Sequence, residues 1–422
     1  MNNSKFVKFL GAGLFAAVSA ASAANIYKAN NGAALDTAPA WTNNAVLGPA
    51  DIATWDNNVT TAITNALGAN LSWGGIQILN PGGPVQIDPG NNLTNGIAGI
   101  DLSEAGQDLT LSNNLVLGAP QYWTLASGRT LTLGGGLGRI AGGVVRFELP
   151  DSSANVIVTS PPNTLLLNGA IPYGTVNDID FAGVNGSQQV TGGSTLGLYL
   201  SNPSGTTPNI SGTAINQVYD LNTSAGGSFG IRVSGNAVIY GVRVNQSNAN
   251  NISWQLNTTT KTLTLNSILV TTNAGSLPVL VNGTGFLRIG STGNQELLLF
   301  QNNPAAPLVF VSGLSAINQQ GTGSLTKLGA GTVEIQAPGA YTGGTRVYEG
   351  SLLIDGGGKC RLQPADCFWG QLHRGEWRNE FCANHHSQQC DQRHRGEQRR
   401  RALFPGNQSR PRFRFAIAVQ LQ

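Results

Sequence analysis

The chain is poor in charge, has one methionine, and over most of its length has neither cysteine nor histidine. Charged residues make up 11% of its 422 residues, against roughly 25% in an ordinary globular protein. Every cysteine and histidine falls after residue 359, at Cys360, Cys367, Cys382, Cys390, His373, His385, His386 and His394. Their absence from the body excludes Ser-His and Cys-His nucleophile pairs there. It also excludes thiolate or imidazole metal sites and a disulfide framework, so a long core has to supply the stability. No stretch after the first twenty residues reaches the roughly 18 apolar residues that span a bilayer as a helix. Helical periodicity is nearly absent as well, which argues against a helical domain.

Glycine, by contrast, is abundant, with 56 residues, about twice its average share. The formal charge of +3 averages two unlike pieces. Residues 359–422 hold twelve basic side chains against five acidic ones, a local charge of +7, which leaves −4 for the rest and −6 once Lys5 and Lys8 are set aside. A mildly acidic body is a poor electrostatic partner for nucleic acid, and none is expected.

Lys5 and Lys8 precede an apolar run over 9–18, and Ala21-Ser22-Ala23 follows it. These are the charged, hydrophobic and small-residue parts of a secretory signal peptide over 1–23, with cleavage after Ala23 and passage through Sec-type export machinery. The expected location is therefore extracellular or at an outer-membrane surface.

From Leu71 onward short apolar alternations are punctuated by Gly, Asn, Pro and Asp, which predicts strands of three to six residues joined by tight turns. Examples are Ile76-Gln77-Ile78, Val85-Gln86-Ile87, Leu109-Thr110-Leu111, Leu115-Val116-Leu117, Leu131-Thr132-Leu133 and Leu263-Thr264-Leu265. Leu109 and Leu131 open matching triplets 22 residues apart, with Trp123-Thr124-Leu125 between them. That spacing is about one coil of a parallel β-helix, in which inward Leu, Ile and Val form stacked ladders and turn asparagines stack likewise. A sandwich or closed barrel also has many short strands, but its hairpins recur at about 8 to 12 residues. The expected fold is an all-β, right-handed, single-stranded parallel β-helix over 68–320. Residues 24–67, with Trp41, Trp55 and a short helix over 60–67, are expected to cap its first coil, since an open solenoid end exposes free strand edges.

Segment 323–354 contains Leu325-Thr326-Lys327, then Gly329-Ala330-Gly331-Thr332, an alternating strand over 333–335, Tyr341-Thr342-Gly343, and Gly350-Ser351-Leu352. It resembles the autotransporter-associated β-strand repeat, here assigned to 321–356. One departure is Pro338-Gly339-Ala340, where an Asn-containing turn is usual. The resemblance implies an exported passenger-type β-helix, with Val333, Ile335, Val347 and Leu353 facing the core. Segments near Asp51-Ile52-Ala53-Thr54-Trp55-Asp56 and Leu71-Ser72-Trp73-Gly74-Gly75-Ile76 are similar to the start of large exported proteins carrying this repeat. In such proteins further repeats follow, and then an anchor or translocating barrel.

The pattern stops after Gly357. In 357–422, Cys382, His385, Cys390 and His394 suggest a zinc site, the arginines of 393–414 an RNA-binding segment, and Phe413, Phe415, Ile417, Val419 and Leu421 a barrel strand. The simplest account is a change of reading frame near Gly357 or Gly358, which explains the charge reversal and the confinement of Cys and His together. The tail is then expected to be mostly disordered.

The rival to a non-enzymatic, adhesin-like surface scaffold is a calcium-dependent polysaccharide lyase or hydrolase, since parallel β-helices also host these. Its best candidates are Asp178 and Asp180, which on a strand would share a face, hold calcium, or act as acid and base. The plainer reading is a solvated turn, because the nearest basic residues in sequence, Arg146 and Arg232, are distant. Asp101, Glu104 and Asp108 read as coil corners. Trp73, Trp123 and Trp254 form either a sugar-stacking strip or core and cap packing, the second being the expectation. No catalytic residue, resident metal or cofactor is assigned, and the ligand of the surface is left unknown.

Overall fold

The structure, a computed structural model, describes residues 23–159, 170–201, 209–221, 232–245, 252–256, 261–290, 296–311, 316–318, 323–339, 341, 343–355 and 414–419. Residues 1–22 of the leader expected over 1–23 lie outside them, as do the cysteines and histidines of the tail.

The Leu-Thr-Leu triplets alternate because one face of each strand looks inward and the other outward. Leu131, Thr132 and Leu133 pair in parallel with Leu109, Thr110 and Leu111 on one side and with Val156, Ile157 and Val158 on the other. The ladder continues through Val85 to Ile63. A second ladder runs Ala53, Ile76, Ile100, Trp123, Phe147 and Val176. Parallel neighbours require a crossover, and here the chain circles the core instead. The coil made by Thr130–Leu133, Leu137–Arg139 and Val144–Glu148 therefore contributes one strand to each of three faces. The chain forms a parallel β-solenoid of about 11 turns. Asparagines stack at the corners at the same period: Asn114 Nδ2 donates to Asn92 Oδ1 at 3.1 Å and the Asn92 amide to Asn70 Oδ1 at 2.8 Å, each across 22 residues.

The helix expected over 60–67 is absent. Ile63–Asn65 is the first strand of the five-stranded face, because Ile63 and Asn65 stand at the right register to stack beneath Val85 and Ile87. Residues 28–50 fold over this end. Trp41 packs edge-on against Trp55 and Trp73, with ring centres 6.0 and 5.8 Å away, and its Nε1 donates to the Leu35 carbonyl at 3.0 Å. A buried lysine acts similarly there. Lys28 Nζ donates to the carbonyls of Ala29 and Asn31 at 2.7 and 2.8 Å.

The solenoid is not one straight rod. After Ala170–Val176 the chain reverses into Asp180–Val184 and Val190–Gly192, both paired antiparallel, which ends parallel stacking in the first run. A second run begins at Tyr199–Ser201 and proceeds by parallel pairing to Thr345–Val347 and Gly350–Asp355. It lies against the first run in the opposite sense. Phe181, at the end of the first run, meets Tyr240 and Phe300, whereas Tyr122, two coils earlier, meets Glu349 at the end of the second. Strands of the second run that face the first are consequently buried on both sides, as Glu296–Gln301 and Ser324–Leu328 are. Leu297, Leu299 and Leu325 fill the second run's own core, while Leu298, Phe300 and Leu328 join the core of the first.

Arg414–Val419 pairs antiparallel with Gly350–Asp355. Part of the alternating segment near the C-terminus thus forms a strand on the last coil. The remainder of 356–422 lies outside the described residues.

Candidate functional site at the seam between the two runs

The seam gathers most of the buried charge. Arg146 lies in Val144–Glu148, with Val145 and Phe147 pointing inward, so alternation turns its side chain out toward the second run. Its Nε donates to Asp178 Oδ1 at 2.6 Å, a second nitrogen pairs with Asp178 Oδ2, and Nη1 donates to both Glu349 oxygens at 2.7 Å. The guanidinium stacks 4.3 Å from the centre of the Tyr122 ring. Burial opposes the charge, but Asp178 and Glu349 outweigh it and hold Arg146 above its ordinary range.

Asp178 and Asp180 do not share a strand face. Asn177 and Asp178 occupy the left-handed region, with φ of 50° and 56°, and Asp180 opens the next strand. The expected turn is present over 177–179, with Asn177 and Ile179 exposed, but Asp178 is ion-paired in place of being solvated, since coil stacking brings Arg146 to it across 32 residues of sequence. Asp180 is taken by a different cation: Arg243 Nη1 donates to it at 3.0 Å, while Arg243 Nε donates to Asp220 Oδ1 at 2.9 Å. Asp180 also accepts from the Tyr199 hydroxyl, and Arg243 lies 4.0 Å from the Tyr199 ring centre. A third pair joins Arg139 to Glu296, whose Oε1 also accepts from the Gly142 amide at 3.0 Å and from Thr326 Oγ1 at 2.5 Å. Each carboxylate therefore faces an arginine. Among the described residues, no three of His, Cys, Asp and Glu group to hold a metal ion.

The residues of segment 323–354 build corners. Leu325, Val333, Ile335 and Leu352 are buried in the second core. Leu353, expected to face inward, instead pairs with Glu334 on the outer side, because Leu352 and Ile354 register with Val333 and Ile335. A run of three apolar residues does not fix its own parity. Lys327 is fully buried, and its Nζ donates to the carbonyls of Leu328 at 3.1 Å, Gly329 at 2.5 Å and Glu349 at 2.9 Å. Burial pushes its ammonium down to about 7. Gly329 and Gly350 take φ of 79° and 65°. A Cβ on Gly350 would lie 2.5 Å from the carbonyl oxygens of Gly329 and Gly331, so stacked corners leave no room for a side chain. Gly331 and Thr332 lead into the strand Thr332–Ile335, Gly343 stacks one coil on, its amide donating to the Gly323 carbonyl at 2.6 Å, Tyr341 OH lies 2.6 Å from Thr345 Oγ1, and Thr342 lies outside the described residues.

Trp73 and Trp123 are core residues, Trp123 meeting Phe147 edge-on at 5.3 Å. Trp254 lies on Ile252–Leu256, with its side chain outside the described set. Asp101, expected at a corner, lies within the strand Asn92–Leu102 with Gln77 and Thr124 as ladder neighbours and accepts from the Ser103 amide at 2.9 Å, whereas Asp108, just before Leu109–Leu111, accepts from the Thr130 amide at 3.0 Å as a corner residue does. Glu104 is exposed. Sequence reasoning missed Arg139, Arg243, Asp220, Glu296 and Glu349. The available signal was a lone charge set among apolar neighbours, as in Val144-Val145-Arg146-Phe147 and Val242-Arg243-Val244.

No helix among the described residues is long and apolar enough to cross a membrane. No known protein family, no curated protein and no solved structure matches the chain.

Proposed function

We propose that the chain is a non-enzymatic, exported surface scaffold, an adhesin-like passenger whose stacked coils display loops to an extracellular ligand. The observation that carries this reading is the use made of its ionisable groups. The carboxylates with the best chance of holding calcium, Asp178 and Asp180, are bound to Arg146 and Arg243, buried cations that dock one solenoid run on the other. A lyase or hydrolase needs such groups open to a polysaccharide in a groove. The leader over 1–23 and the likeness of 323–354 to a passenger repeat support export.

The test is expression of the full chain in a Gram-negative host. N-terminal sequencing should find Ala24 as the first residue, and protease added to intact cells or culture medium should reach the protein. Retention of the leader, or a wholly protected cytoplasmic product, refutes export. Release of unsaturated or reducing ends from anionic polysaccharides with calcium, lost in Asp178→Asn, refutes the scaffold in favour of the enzyme.

A further inference from the structure

The seam holds a second polar set that its ion pairs do not use. Tyr173 OH, Tyr240 OH, Ser267 Oγ and Arg139 Nη1 are buried without a hydrogen-bond partner in the protein. They come from both runs and lie together. Arg139 sits 5.3 Å from the centre of the Tyr173 ring, and Tyr240 faces the Arg139 charge and the Ser267 hydroxyl, close enough for the two hydroxyls to interact but without the geometry of a formed hydrogen bond. Gly241 pairs with Ser267 across the strands. A Cβ on Gly241 would lie 2.7 Å from Ser267 Oγ, so the glycine keeps the space beside that hydroxyl open.

Four buried polar groups left unsatisfied in one place would weaken the docking that the neighbouring ion pairs stabilise. We infer that this nest is a binding site for ordered water, which joins the two runs through the hydroxyls of Tyr173, Tyr240 and Ser267 and the free nitrogen of Arg139. The charge balance selects water over an anion. Arg139 is already neutralised by Glu296, and Arg346, the other cation facing it, already has a partner, so a further negative charge would enter a buried seam uncompensated. Hydroxyls both donate and accept, and a buried water needs two to four such partners.

The test combines hydroxyl deletion with a search for the bound species in the full chain. Tyr240→Phe, Tyr173→Phe and Ser267→Ala should each raise the urea unfolding constant roughly 3- to 10-fold, equally in chloride and in chloride-free buffer. Unchanged or greater stability in all three overturns the inference, because deleting an orphaned hydroxyl removes a penalty. If a variant fails to fold, the wild-type crystal structure decides. Density for water within 3.2 Å of at least two of the hydroxyls supports the site. An anomalous bromide peak there after soaking, or stability that rises with halide, overturns it in favour of an anion, and a dry nest overturns it outright.

Discussion

Replacing Arg146 by methionine keeps an unbranched side chain over the Tyr122 ring and removes the guanidinium. Asp178 and Glu349 are then left together without their shared cation, and Asn302 Oδ1 loses a donor at 3.3 Å. Removing one partner of a fully buried ion pair costs about 3–5 kcal/mol. The carboxylate side chains here keep 28% and 19% exposure, against 4% for Arg146. Water therefore recovers part of the loss, and the expected cost is about 2–3 kcal/mol. An ordinary surface pair would cost at most about 1 kcal/mol. Urea unfolding of the purified chain, followed by tryptophan fluorescence, measures the difference. The triple variant Arg146→Met, Asp178→Asn, Glu349→Gln should regain most of the loss, because it leaves no unpaired charge in the seam. A loss below about 1 kcal/mol for the single variant, or a triple variant no more stable than the single, refutes the role of Arg146 as the pivot of docking.

Three further outcomes are expected. Leu131→Ala opens a gap between Leu109 and Val156 and should cost about 2–5 kcal/mol in the same assay, whereas outward Thr132→Ala should stay within about 0.5 kcal/mol. Gly350→Ala forces a Cβ against two carbonyl oxygens at 2.5 Å and should abolish hydrogen-exchange protection in Gly350–Asp355 while sparing Leu109–Leu111. Lys327 loses its proton near pH 7 in the folded chain and near 10.4 when unfolded, so the unfolded state binds more protons between these values and stability must rise with pH across that window. The gain from pH 7 to 9.5 is on the order of 3 kcal/mol, and Lys327→Met should remove it from the stability profile. Equal pH slopes for the two proteins would show that the three carbonyls keep Lys327 charged.

The coils were legible because their signal is local. Leu109, Leu111, Leu131 and Leu133 repeat the inward period of a strand at the length of one coil, and stacking needs nothing more than that repetition. The asparagine corners and the tryptophan-lined cap follow the same logic, since Asn70, Asn92 and Asn114 recur with the strands they join. Two errors were also local in origin. Residues 60–67 lack a pattern strong enough to separate strand from helix, and Leu352, Leu353 and Ile354 are apolar on both faces, so only pairing with Val333 and Ile335 decides which ones face inward.

The sequence by itself determined a strand-built solenoid, because alternation and coil spacing are written between residues one turn apart. Only the tertiary structure decided that this solenoid folds back on itself, and that decision turns Asp180 from a candidate ligand into a docking group and brings Glu349 to Arg146, which coil stacking already pairs with Asp178. Arg146 meets Glu349 across 203 residues, and Arg243 meets Asp180 across 63. No local pattern encodes such pairs, since an outward arginine on a strand reads the same whether water or a second run of coils lies beyond it.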